Sequence, residues 1–262
     1  IRAARNSRAM QPDFNGTMKI DLPSTSAVLQ VAQSLQSMSL IEYVGILSLD
    51  QPPQPPNDIA PTTPDFEDQQ GYLDTNPGYG IEFLKDLGAD GSGIRLSNCE
   101  YSYNPDHEDL VGANLRNSGG EIDPDRATDH GTATFGMIMA QDNGYGVTGI
   151  APACEGHFYE TLIHRDEGVA SALTDSKAGD IVLLEMQSYA IEFEDDKDFV
   201  PEEYRLAIWD LCKTATESGI IVVAAAKLNL SSQICQNCHA SKVLMDRHGL
   251  DAERMSSYLR SY

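Results

Sequence analysis

Short apolar runs bounded by glycine and polar residues recur between residues 93 and 226, and stretches of helical spacing separate them. Residues 93–97, 156–162, 179–187 and 219–226 read as strands. The run 179–187 is apolar with polar ends, the pattern of a buried parallel strand, and 219–226 is the next parallel strand. Helical segments are predicted at 80–87, behind His130, at 167–178 and at 201–218. The last opens on Pro201 with acidic residues in its first turn, and Trp209, the only tryptophan, is expected on its core face. Strands alternating with helices predict an α/β fold with a parallel sheet flanked by helices.

Upstream the pattern weakens. Residues 1–13 are basic at Arg2, Arg5 and Arg8 and lack periodicity. Residues 27–35 have helical spacing and 41–47 read as a strand, together a small αβ unit. The Pro-rich run at 51–56 is an extended linker. Residues 57–93 are rich in turn-forming residues. The expected organisation is therefore an αβ unit with its linker over 1–56, an α/β core over 57–226 and a separate tail over 227–262.

A length of 262 residues with 41% apolar residues suffices for one sizeable core. The net charge of −22 argues against nucleic acid and anionic membrane surfaces as partners, and favours a small-molecule substrate and a soluble chain. No apolar run is long enough for a membrane helix and no signal peptide is visible. Ile1 is not a natural translation start, which implies a processed, trimmed or partial chain.

The chemistry concentrates at Asp129-His130-Gly131-Thr132-Ala133, followed by Phe135-Gly136-Met137-Ile138 and, further on, Asn143-Gly144-Tyr145-Gly146-Val147-Thr148-Gly149-Ile150-Ala151-Pro152. A histidine at a loop-to-helix entry, with small residues behind it, presents an imidazole at the end of a sheet. Both motifs, in this order and spacing, resemble the histidine block of subtilisin-like serine proteases. His107-Glu108-Asp109-Leu110 resembles the sequence that follows the aspartate block of that family, with Glu108 replacing proline. The resemblance implies a truncated subtilisin-like sheet over 57–226, a propeptide-like role for 1–56 and a secreted or periplasmic ancestry. It also implies an acid that orients His130. Counting seven residues back from His107 gives Glu100; the strand end gives Asn98. Neither is aspartate. Glu100 is favoured, because a carboxylate stabilises the imidazolium by charge and an amide does not. His130, Glu100 and Asp129 are the candidate catalytic residues. Glu185 and Gln187 fall where the family binds substrate backbone.

The resemblance ends after Ala226. No Gly-Thr-Ser-x-Ala nucleophile block occurs, and Asn229 is one residue out of register for the oxyanion-hole asparagine of that family. Composition changes at the same point: residues 227–262 hold five Lys/Arg and three Asp/Glu, whereas 1–226 hold 13 and 37. The tail carries Cys235-Gln236-Asn237-Cys238-His239, a Cys-x-x-Cys-His signature, and resembles a fragment of a multihaem c-type cytochrome, so a chimera is suspected. Three readings follow. The motif attaches haem c; or Cys235, Cys238, His239 and His248 hold zinc; or the tail is a helical piece that covers the open sheet. Dimerisation across the open edge is the other way to cover it.

These features predict a hydrolase without the serine block, acting through a metal or water on activated esters or phosphate esters. The nucleophile is a water, a metal-bound hydroxide, or a replacement side chain such as Cys99 or Ser97; for a metal, His130, Asp129, Glu100 and His107 could meet near one loop end, or the Cys-x-x-Cys-His tail could bring it. The alternative is a catalytically inactive fragment that binds a partner or serves a structural role.

Overall fold

The computed structural model describes residues 16–46, 63–75, 78–189 and 199–225. Five parallel strands form the central sheet: β1 (Arg95–Glu100), β2 (Leu115–Gly119), β3 (Glu155–Glu160), β4 (Ile181–Leu184) and β7 (Ile221–Ala224), in the order β2-β3-β1-β4-β7. A separate antiparallel pair joins β5 (Gln187–Tyr189) to β6 (Phe199–Pro201). The helices are α1 (Val28–Gln36), α2 (Ile81–Asp86), α3 (Thr128–Met139), α4 (Arg165–Asp175) and α5 (Leu206–Glu217).

Helices cover both faces of the sheet. In α5, Ile208, Leu211, Cys212 and Ala215 recur at three- and four-residue intervals, and all are buried. They pack with Val169, Ala172 and Leu173 of α4 against Cys99, Tyr159, Val182, Leu184 and Val222. On the opposite face Phe135 and Met139 of α3 pack against Phe158, Tyr103 and Leu110. Each such aliphatic side chain contributes about 1.5–3 kcal/mol on burial. Period-two alternation along β1 therefore sends Cys99 to the α4/α5 face, and Asn98 and Glu100 to the α3 face.

Strand β1 is the point where chain direction diverges. Its neighbour β3 lies on one side and β4 on the other. In open α/β sheets the carboxyl ends of strands at such a switch form a crevice, because loops leave them in opposite directions. Glu100 ends β1 at that crevice.

Several boundaries differ from the sequence pattern. The run 179–187 is not one strand: β4 ends at Leu184, and Gln187 begins β5, which pairs antiparallel with β6. The segment expected as one helix from 201 resolves into the end of β6, a 3-10 turn (Glu202–Tyr204) and α5. Trp209 is only half-buried, so the core face of α5 runs through its aliphatic neighbours. Residues 41–46 form no strand, because their hydrogen bonds go elsewhere: the Val44 N–H donates to the Gln36 side chain at 2.9 Å. Cys99, Cys154 and Cys212 are buried free thiols. No helix among the described residues is long and apolar enough to cross a membrane. The linker at 51–56 and the whole of 227–262 lie outside the described residues.

Candidate active site

The site is assembled where α3 begins beneath the carboxyl end of β1. Ala127, immediately before α3, has φ of 54°, the only left-handed non-glycine residue among those described. That conformation costs roughly 1–2 kcal/mol and turns the chain sharply into the helix. His130 lies in the first turn and Gly131 follows it. A Cβ at Gly131 would overlap the Ser102 carbonyl oxygen and the Glu100 side chain, so only glycine lets α3 approach this closely. Thr132 fastens the contact: its Oγ1 accepts the Asn104 N–H at 2.8 Å and donates to the Thr128 carbonyl at 2.7 Å. His-Gly-Thr thus presents the imidazole, permits the approach and ties the following loop.

The approach brings His130 and Glu100 together. Nδ1 of His130 lies 2.9 Å from Oε2 of Glu100. The carboxylate is completely buried and the imidazole side chain is 27% exposed. Oε1 of Glu100 accepts the Tyr101 N–H at 2.7 Å, and the Thr134 hydroxyl lies 3.3 Å from Oε2. The Tyr101 ring meets the imidazole edge-on, with centroids 5.5 Å apart. Because Nδ1 engages Glu100, Nε2 is the nitrogen available for proton transfer.

Glu185 faces the same pair. Leu184 is in register with Cys99 and shares its core face, so the next residues, Glu185 and Glu100, both point to the α3 face. The Glu185 N–H donates to the Cys99 carbonyl at 3.2 Å, which extends the ladder one residue beyond β4. Burial raises the affinity of Glu185 for a proton, against the attraction of His130. Burial likewise raises Glu100, opposed by its bond to His130, the charge of His130 and the Tyr101 N–H. For His130 burial is the largest single influence and disfavours the imidazolium. The hydrogen bond to Glu100 and the charges of Glu100 and Glu185 together outweigh it, so the net shift is upward.

The other expected site residues are not gathered here. Asp129 is exposed on the first turn of α3, and the carboxylate that meets the imidazole is Glu100. Gln187 is half-buried in β5, where its carbonyl accepts from Arg165 Nη1 at 3.1 Å. Nδ1 of His107 accepts the Asp109 N–H at 3.2 Å, a local turn contact. The expected grouping of His130, Asp129, Glu100 and His107 around a metal does not form: among the described residues no cluster of three or more His, Cys, Asp or Glu could hold a metal ion. Cys99 faces the α4/α5 core, where burial pushes its thiol far above the usual range. Ser97 is buried and bonded to Ser176 at 3.1 Å. Neither reaches the dyad face. Asn98, the alternative orienting residue, is buried on the α3 face but makes no hydrogen bond to His130. Cys235, Cys238, His239 and His248 lie outside the described residues. Sequence reading missed Tyr101 and Thr134, although Tyr101 adjoins Glu100 and Thr134 lies one helical turn beyond His130.

No protein-family model matches the chain, and no curated protein matches it significantly. Solved structures with partial likeness include several proteases. A serine protease of Aeromonas sobria, in complex with a chaperone, gives a TM-score of 0.39 at 23% identity, over 51% of this chain and 27% of that one. The prenylagaramide maturation protease gives 0.41 at 16%, over 55% and 49%. A protease from Pseudoalteromonas arctica gives 0.45 at 18%, over 62% and 58%. The chain thus spans between about a quarter and three-fifths of the length of these structures.

Proposed function

We propose that the chain carries the acid–base portion of a hydrolase site, with His130 as general base and Glu100 as its orienting carboxylate. The observation that carries this reading is the 2.9 Å contact between Nδ1 of His130 and a fully buried Glu100 carboxylate at the sheet's carboxyl edge. In that arrangement Nε2 takes a proton from a hydroxyl or water as it attacks an ester or amide carbonyl. Glu100 stabilises the imidazolium that forms, and His130 then returns the proton to the leaving group. The nucleophile is a water or a hydroxyl from outside the described residues, because Cys99 and Ser97 lie on the far face or in the interior. Glu185 flanks the pair and lends the cleft negative charge, which favours neutral or cationic substrates. Activated esters, whose leaving groups need little protonation, are the substrate class that such a base serves with least help.

A panel of p-nitrophenyl esters and chromogenic peptides tests this. Hydrolysis that falls about 10²–10⁴-fold on His130→Ala supports it. Hydrolysis that His130→Ala leaves intact would overturn it.

A further inference from the structure

Arg165 is a buried cation that stands one side chain away from His130. It is 2% exposed, and its guanidinium carbon lies 5.9 Å from the centroid of the Tyr101 ring, within cation–π range. Tyr101 touches both members of the dyad: its backbone N–H donates to Glu100 at 2.7 Å, and its ring meets His130 at 72° between planes. Arg165 therefore backs a ring that meets the base on a residue whose backbone also holds the orienting acid.

Arg165 is itself fixed by the elements beyond it. Its Nη1 donates to Oε2 of Glu202 and to the Gln187 carbonyl, both at 3.1 Å. Glu202 is completely buried and also accepts from the Ser188 hydroxyl at 2.8 Å and from Arg205 at 3.0 Å. Arg205 in turn forks onto Asp166 at 2.6 and 2.9 Å. The network joins the first turn of α4, strand β5 and the 3-10 turn after β6. Buried ion pairs contribute little net stability compared with apolar packing of the same volume. A planar guanidinium anchored through Nη1 to a buried carboxylate and a backbone carbonyl does, however, restrain the ring it lies over.

We infer that Arg165 is a positioning residue of the site: it holds the Tyr101 ring against His130, and through Gln187, Ser188 and Glu202 it links the imidazole's orientation to the β5–β6 pair. Its catalytic consequence rests on the hydrolase reading above; its geometric content does not. Arg165 touches neither nucleophile nor substrate in this role. It acts through Tyr101 on the bond between His130 and Glu100.

The test follows the titration of the His130 ring by NMR in the full chain. Arg165→Met alone takes from the buried Glu202 carboxylate one of its two arginine partners, so it is combined with Glu202→Gln. Tyr101→Leu, which keeps the backbone N–H to Glu100, reaches the same end by a second route and decides the matter if the double variant does not fold. Both are expected to lower the His130 pKa toward the ordinary imidazole value of 6.5, because the ring no longer rests squarely on Glu100. Arg165→Lys, still paired with Glu202, is expected to restore most of the wild-type value. Leu173→Ala, a cavity about two helical turns along α4 from Arg165, controls for destabilisation and is expected to leave the titration unchanged. Folded Arg165 and Tyr101 variants that titrate like wild type, or like Leu173→Ala, would overturn the inference. A shifted titration in a chain that hydrolyses no ester would keep the positioning role and remove the hydrolase reading. Hydrolysis dependent on His130, with a titration indifferent to Arg165, would do the reverse.

Discussion

Nδ1 of His130 and Oε2 of Glu100 meet at 2.9 Å, although one side chain lies on the rim of the fold and the other is fully enclosed. A buried carboxylate has no water to solvate its charge, so burial raises its affinity for a proton, and the imidazole and the Tyr101 N–H oppose that rise. Replacing Glu100 by Gln keeps shape and removes charge. Ester hydrolysis is expected to fall about 10²–10⁴-fold, while the fold, followed by circular dichroism, is retained. Glu100→Asp, one methylene shorter, is expected to fall between Gln and wild type. Equal activity in wild type and Glu100→Gln would show that the carboxylate does not serve the base.

The dyad also makes stability depend on pH. His130 holds its proton more tightly folded than unfolded, so its contribution is fully present below about 6.5 and is lost as pH rises through the raised folded value. Glu100, raised by burial, acts in the same direction from its ordinary value upward. The urea midpoint is therefore expected to fall as pH rises through neutrality. In Glu100→Gln this slope should flatten. A midpoint that climbs over the same interval in wild type would contradict the assignment.

Gly131 is a packing requirement of the site. Alanine there would push α3 away from Ser102 and Glu100. Overpacking of this kind costs about 1–3 kcal/mol, and it should act on the dyad as well as on stability. Gly131→Ala is thus expected to lower both the unfolding free energy and the His130 pKa. A variant that loses stability but keeps the imidazole titration would place the glycine's role in packing alone.

Cys99 offers a contrast one residue from Glu100. It is fully buried on the α4/α5 face. Cys99→Ala is expected to cost about 1 kcal/mol through lost packing and to leave ester hydrolysis within the range of wild type. Abolished hydrolysis in a folded Cys99→Ala protein would make the thiol the nucleophile after all.

Much of this arrangement was legible in the chain. The apolar run at 181–184 marks a strand because a central parallel strand is apolar on both faces; the run at 221–224 ends the described sheet, where Ile221 and Val223 are exposed. Glu100 was legible through its spacing from His107 and through strand alternation. Strand β2 was not: Leu-Arg-Asn-Ser-Gly lies at the sheet edge, mostly exposed, and needs no apolar pattern to pair with β3. The turn of Gln187 into an antiparallel ladder was also hidden, because its partner strand lies more than ten residues on and a buried arginine 22 residues earlier takes its carbonyl. Residues 41–46 look like a strand by composition, but the Val44 amide bonds back to the Gln36 side chain of α1. Tyr101 escaped notice because an aromatic residue after a strand reads as core; only the fold shows that it touches both His130 and Glu100.

The most direct measurement is the titration of the His130 imidazole in wild type and in Glu100→Gln. The wild-type pKa is expected above the ordinary 6.5, with a clear downward shift when the carboxylate becomes an amide. A wild-type value at or below 6.5 that Glu100→Gln leaves in place would contradict the His130–Glu100 dyad.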